Sequence, residues 1–244
     1  MATWITHLRI AERLHEGIGD LDAGQFGIGS IAPDSGIPDE KWENFDPPTE
    51  ITHFQSPQKQ RRNCQDLEFY RKYLKGEAWS SNHKERNSYY LGYFFHLIVD
   101  NLWSKNISRP TKELFEHQYS EDFENKREFF GEMKRDWYGL DFVYLHNHPT
   151  SFFWNVFIDS EVTSTYLDFL PLEALKQRVE YIKTFYQRKD EAIDNLFSRP
   201  FKYLSSERVN GFVEEVSQTM LQVYQLIWVE DMEVGECENA LELL

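Results

Sequence analysis

The chain has 244 residues, 41% of them hydrophobic and 16% aromatic, enough to bury a sizeable core as one domain over residues 1–244. Forty-one acids against 26 bases leave a net charge of −15, which argues against a nucleic-acid backbone or an anionic membrane as a broad partner. Two cysteines, Cys64 and Cys237, are too few for a disulfide framework and match no zinc-ligand spacing, so they point to a reducing, cytoplasmic setting.

The N-terminal stretch MATWITHLRIAERLHE carries Arg9, Glu12 and Arg13 inside its apolar pattern, so it reads neither as a signal peptide nor as a membrane span. Ile5, Leu8, Ala11 and Leu14 instead mark a first helix over Thr3–His15, with Thr3 as its N-cap. His7 lies among Trp4, Ile10 and Ala11 and is expected to face inward. Gly17 and Gly19 end this helix, and Asp20 opens a short second one over Leu21–Phe26. Gly24, Gly27 and Gly29 follow without the lysine and hydroxyl of a phosphate loop, which favours close backbone packing over nucleotide binding.

Between Ile31 and Phe54, Pro33, Pro38, Pro47 and Pro48 rule out a regular helix and predict a long ordered loop, pinned by Ile37, Trp42, Phe45, Ile51 and Phe54. Asp34 and His53 lie in it. Singly, Asp34 reads as a turn residue and His53 as a surface residue; together with the histidines elsewhere they read as metal ligands.

Ser56-Pro57 opens a helix to about Leu74, stopped by Gly76. Ser81 or Asn82 starts the next, whose core is SYYLGYFFHLIVDNLW, Ser88 to Trp103. A stretch apolar on all sides is a buried helix. A buried, unpaired Asp100 would cost more than such a helix recovers, so it needs a cation, a metal or several donors. His96 sits one turn earlier, where imidazole and carboxylate can converge on one ion or simply hydrogen-bond each other.

Helical patterns continue over Thr111–Glu116 and Ser120–Tyr138, the latter with apolar Phe123, Phe129, Phe130, Met133 and Trp137. The aromatic RDWYGLDFVYLHNHP segment comes next, with its two histidines in a loop. Its His146-x-His148 is a rival metal motif without a third ligand, and its Asp136 reads as a cap or as a group that completes a coordination shell or binds substrate. Ser151–Ile158, Pro171–Phe197 and Ser205–Met232 complete the helices, and Glu230–Leu244 is expected to fray. No alternating strand pattern stands out, so the fold class is all-α, a multi-helix bundle with a metal site between helices.

In chain order the inward candidates are His7, Asp34, His53, His96 and Asp100, a donor mix suited to Zn2+ or another borderline divalent ion. Trp4-x-x-His7, Pro33-Asp34, Thr52-His53-Phe54 and LGYFFHLIVD from Leu91 to Asp100 follow one another over roughly the first hundred residues. In this ordered set the chain resembles the zinc-dependent phospholipase C family, which is related in fold to the single-strand nucleases of fungi and plants. The resemblance implies a mostly helical, zinc-dependent hydrolase of phosphate esters. It also implies roles: His53, His96 and Asp34 on one zinc, Asp100 bridging to a second held by His7, and Asp34 doubling as the catalytic group that orients or deprotonates water.

Two departures qualify it. Secreted members begin at the tryptophan and bind metal through its free amine and carbonyl, whereas Met1 to Thr3 precede Trp4 here, which leaves Trp4 as a substrate or supporting residue. Asn106 stands where three-zinc members have a histidine, and no H-x-x-x-E follows. One or two ions are therefore expected, with a small phosphate ester as substrate, no nucleic-acid partner and no stable membrane association. The alternative is a non-catalytic helical metal-binding protein or scaffold. A helical phosphohydrolase of the His-Asp type would need a contiguous His-Asp pair, which is absent.

Overall fold

A computed structural model describes residues 1–41, 43–55, 63–76, 83–115 and 123–244, with the side chains of 123–126 outside the description. It is 67% helix and 3% strand, as the all-α reading expects. Helix α1, Trp4–Ile18, starts where Thr3 accepts the amide of Thr6 and runs through Gly17 to Gly19, whose φ of 68° ends it. Helix α2, Ala23–Gly29, begins two residues after the expected place, because Asp22 rather than Asp20 accepts the Gln25 amide at 2.8 Å.

The centre of the molecule is α5, Lys84–Trp103, with sixteen buried residues from Asn87 to Trp103. Its expected start at Ser81 or Asn82 lies outside the described residues. Two glycines let α2 meet α5 backbone to backbone. A Cβ on Gly29 would stand 2.1 Å from the Tyr89 carbonyl oxygen, and one on Gly92 2.3 Å from that of Phe26. Asp34 and His53 follow this contact in the chain, so α2 delivers the loop to the buried face of α5. The loop is partly regular, with a 3-10 turn at Ala32–Asp34, a two-residue antiparallel pair β1 (Ile37–Pro38) and β2 (Phe45–Asp46), and one turn of helix α3, Thr49–Thr52. Pro48 sits at the N-cap of α3, where a missing N–H costs nothing. Ile37 and Ile51 are 37% and 50% exposed, so they do not anchor the loop; Phe54 does, against Phe69 and Phe169.

Helix α4, Asp66–Tyr73, is shorter than expected: residues 56–62 lie outside the described residues, and residues 63–65 are extended. Asn101 fixes them there, accepting from Cys64 N at 2.9 Å and donating to Cys64 O at 2.8 Å. Beyond α5 the chain passes through a π-turn at Ser104–Ser108 into α6, Arg109–Leu114. Helix α7, Phe123–Asn147, runs past the expected end at Tyr138 and takes in the aromatic segment up to the histidines expected in a loop, burying Trp137, Leu140, Phe142 and Leu145. Their spacing follows a helical period that the clustered aromatics obscure.

Helices α8 (Phe152–Asn155), α9 (Leu172–Tyr186) and α10 (Glu191–Leu196) lead to α11, Ser206–Tyr224. The single helix expected over Pro171–Phe197 is broken at Gln187–Asp190, where Asp190 caps α10 through the Ile193 amide. Helix α11 lies along α1, with Arg13 paired to Glu214 and Arg9 donating to Asn210. The segment after residue 230 is docked rather than frayed. Arg71 donates to the Gly235 carbonyl at 2.9 Å, and Ala240 N donates to Asp66 at 2.7 Å. Among the described residues no helix is long and apolar enough to cross a membrane.

Candidate metal centre

Five side chains from four parts of the fold meet beneath α1: His7 from α1, Asp34 from the 3-10 turn, His53 after α3, and His96 with Asp100 from α5. Three separations involving His53 Nε2 define the arrangement: 3.4 Å to Asp34 Oδ1, 3.4 Å to His96 Nε2 and 3.5 Å to Asp100 Oδ2. His96 Nε2 is 3.9 Å from the same Asp100 oxygen. Donor atoms about 2.1 Å from a tetrahedral zinc stand about 3.4 Å from one another, and the donor atoms here fall into two groups of three at such spacings, Asp34 with His53 and His96, and His7 with His96 and Asp100. Hydrogen bonds between them would be shorter.

The other atom of each of these four groups is held by the protein. His96 Nδ1 is 2.8 Å from the Ser30 carbonyl, which only accepts, so Nδ1 carries the proton and Nε2 presents its lone pair to the cluster. His53 Nδ1 lies 3.0 Å from Thr52 Oγ1, whose own hydroxyl donates to the Thr49 carbonyl. The Trp4 indole donates to Asp34 Oδ2 at 3.0 Å, and Ala2 N donates to Asp100 Oδ1 at 2.8 Å. What remains inward is two imidazole nitrogens and two carboxylate oxygens. Asp34 Oδ1 is buried with no hydrogen-bond partner, as expected of an atom left for a cation.

His7 completes the group differently. It stacks on His96 with ring centroids 3.8 Å apart, and its Nε2 is 3.4 Å from Asp100 Oδ1. Both its ring nitrogens are buried without hydrogen bonds. Asp100 therefore faces His53 and His96 with one oxygen and His7 with the other.

The charge state fits a cation. Burial pushes the Asp34 carboxyl up, but the approach of His53 and the field of His96 outweigh it and hold the group at about 2. Burial opposes the Asp100 charge too, yet the N-terminal ammonium and the imidazoles of His7 and His96 hold it well below the usual carboxylate range. Burial, with His7 alongside, lowers His96 to about 3, so it is neutral, the ligand form. Two ionised carboxylates buried against neutral His96 are costly without a compensating ion.

Trp4, read as a supporting residue, touches Asp34 directly. Asp136 is used elsewhere: it accepts from Arg199 and, at 2.7 Å each, from the amides of Lys202 and Tyr203, tying α7 to the loop before α11. His148 hydrogen-bonds the Tyr144 carbonyl at the exposed end of α7, and His146 lies against Phe197, so the rival motif forms no metal group among the described residues. The supporting groups Ser30 and Ala2 could not be found from sequence, because both act through the backbone. Arg178 was also overlooked. It sits within the apolar stripe Leu175, Val179 and Ile182 of α9, and a guanidinium within such a stripe is a readable signal.

Fold and site together define a mostly helical protein with a buried His/Asp cluster able to hold a metal ion. No family model matches the chain, and no curated protein or solved structure matches it either.

Proposed function

We propose that the cluster is a zinc centre and that the protein is a phospholipase C-like hydrolase of small phosphate esters. The observation that carries the metal is the set of separations of 3.4 to 3.5 Å around His53 Nε2, with the opposite atom of every contributing group tied to the protein. When bound, zinc supplies a water acidic enough to ionise near neutral pH and a positive field for phosphoryl oxygens. The chain's part is to hold and orient. His53, His96 and Asp100 fix three positions, and Asp34, the most accessible of the five at 7% side-chain exposure, stands at the solvent side. Its Oδ1 would hold the ion and so orient the water that the ion binds, while the Trp4 indole keeps Oδ2 in position. His7 and Asp100 Oδ1 offer the start of a second position, so the expected content is one to two ions. The resemblance of the motifs from Trp4 to Asp100 supports phosphorus as the electrophile, and the net charge of −15 disfavours nucleic acid as substrate.

A second reading has its own observation: His7, His53, His96 and Asp100 are all buried, at 5% exposure or less, as in closed structural sites. In that case the protein is a helical metal-binding scaffold. Elemental analysis together with turnover on phosphomonoesters and phosphodiesters separates the two, since both readings require bound zinc and only the first requires hydrolysis. Asp100→Asn sharpens the test. The variant is expected to lose at least one ion, all phosphoesterase activity and the rise in melting temperature on adding zinc. A folded Asp100→Asn protein with full metal content and unchanged turnover would sink the assignment.

A further inference from the structure

A cavity of about 170 Å³ opens between α9 and β1, lined by Gly36, Ile37, Pro38, Ala174, Arg178 and Tyr181 together with Gln177. It adjoins the metal centre through two links. Gly36 lies two residues after Asp34, and Trp4, whose indole donates to Asp34, also packs its ring 5.7 Å from the Arg178 guanidinium carbon. Arg178 is only 7% exposed, yet it lines the cavity; Nη2 donates to the Gly36 carbonyl at 3.0 Å, and the Tyr181 ring is also 5.7 Å away. The wall is stiff as well. A Cβ on Gly36 would stand 2.5 Å from the Pro47 carbonyl oxygen, so backbone packs on backbone there. A guanidinium buried against a pair of packed aromatic rings at the edge of a small cavity, in a chain of net charge −15, is a deliberate placement of positive charge.

We infer that this cavity is a substrate-anchoring subsite that takes an oxyanion, a carboxylate or a second phosphate, carried on the alcohol part of the ester, with Arg178 as its partner. The guanidinium fork matches a planar or tetrahedral oxyanion through paired hydrogen bonds. A cavity of about 150 Å³ holds a benzene-sized group, so the space suits a short substituted alcohol and not a long acyl chain. Ile37, Pro38 and Ala174 supply the apolar walls for its carbon atoms, and Tyr181, 40% exposed, stands at the opening. The inference rests on the phosphoesterase reading for its substrate, while the cavity itself is testable without it.

The test compares zinc-loaded wild type, Arg178→Gln and Arg178→Lys on three esters with one carbon chain: propyl phosphate, 3-phosphonooxypropanoate and propane-1,3-diol bisphosphate. Wild type should show a KM at least tenfold lower for one of the two esters that carry a second anionic group than for propyl phosphate, and which one it is separates carboxylate from phosphate. Arg178→Gln should raise the KM of that ester at least tenfold more than that of propyl phosphate, and Arg178→Lys should lose part of the preference. Equal KM values for all three esters in wild type, or an equal loss on all three in both variants, would overturn the subsite. If zinc-loaded wild type hydrolyses none of them, the phosphoesterase reading fails, and calorimetry of metal-free protein with inorganic phosphate decides about the cavity. Binding by wild type that Arg178→Gln weakens at least tenfold upholds it; no binding by wild type rejects it.

Discussion

Trp4 shows how much of the centre depends on a single N–H. Its indole holds Asp34 Oδ2 and its ring is packed edge-on by Tyr181, Phe185 and Tyr186, so Trp4→Phe removes the hydrogen bond while keeping most of the packing. Zinc affinity should fall by about 10–100-fold, as when other supporting partners of metal ligands are lost, while the metal-free melting temperature moves little. Competition with a chromophoric chelator measures this, and unchanged affinity would show that Asp34 needs no support. Close by, Asp141 accepts from Thr3 Oγ1 at 2.7 Å and from Tyr186 OH at 2.5 Å, and burial raises its carboxyl to about 7 despite those bonds. The folded state thus keeps a proton that the unfolded chain releases near pH 4, so this group's contribution is full below about pH 4 and is lost as the pH rises toward 7. Asp141→Asn should therefore compare worst with wild type at pH 5 and recover by roughly 1 kcal/mol per pH unit up to pH 7. Urea unfolding at four pH values checks it, and a pH-independent difference would rule out the buried proton. At this scale the sequence was most informative where side chains act: His96 and Asp100 were legible one turn apart on an apolar helix, and His7 by its place among apolar neighbours. The hold on Ser30 O and Ala2 N was illegible because backbone atoms carry no residue code.

Among the elements, the α2–α5 crossing positions the centre, and its two glycines bring Ser30 within reach of His96. Gly92→Ala would drive a methyl to 2.3 Å from the Phe26 carbonyl oxygen, so backbone has to move. A loss of about 1–3 kcal/mol or more is expected, with weaker zinc binding because Ser30 shifts. Gly211→Ala is the natural contrast: nothing lies within 4 Å of the added methyl in α11, and stability should rise by about 0.5–1 kcal/mol. Thermal melts of the pair test the argument, which fails if both variants move in the same direction. Helix existence was largely readable from apolar spacing, but boundaries were not. The start of α2 depended on which aspartate met an amide, and the start of α4 on Asn101, a residue far along the chain. The end of α7 beyond Tyr138 was hidden because aromatics at nearly every position blur a helical period.

Across the whole molecule, one buried acid ties distant parts of the chain together. Asp66, buried and raised to about 7, accepts from Ala240 N and Asn101 Nδ2, and Leu67 N donates to the Glu238 carbonyl. Asn101, in turn, is the last polar residue of α5 before Leu102 and Trp103, one position after Asp100. Asp66→Ala should destabilise the protein by roughly 1–3 kcal/mol through the unsatisfied amides it leaves, and should make the segment after Val234 the first site of proteolytic cleavage. Cleavage that begins elsewhere at unchanged stability would show that the docking depends on other contacts. The acidic composition of that segment suggested fraying, since nothing in it announces that its backbone amides serve an acid so far away in sequence. Because residues 66 and 240 are 174 positions apart, a growing polypeptide exposes Asp66 long before its partner exists. The strip around Cys64 and Asn101 can therefore gain its contacts with Asn239 and Ala240 only after those late residues have been made, well after α5 itself.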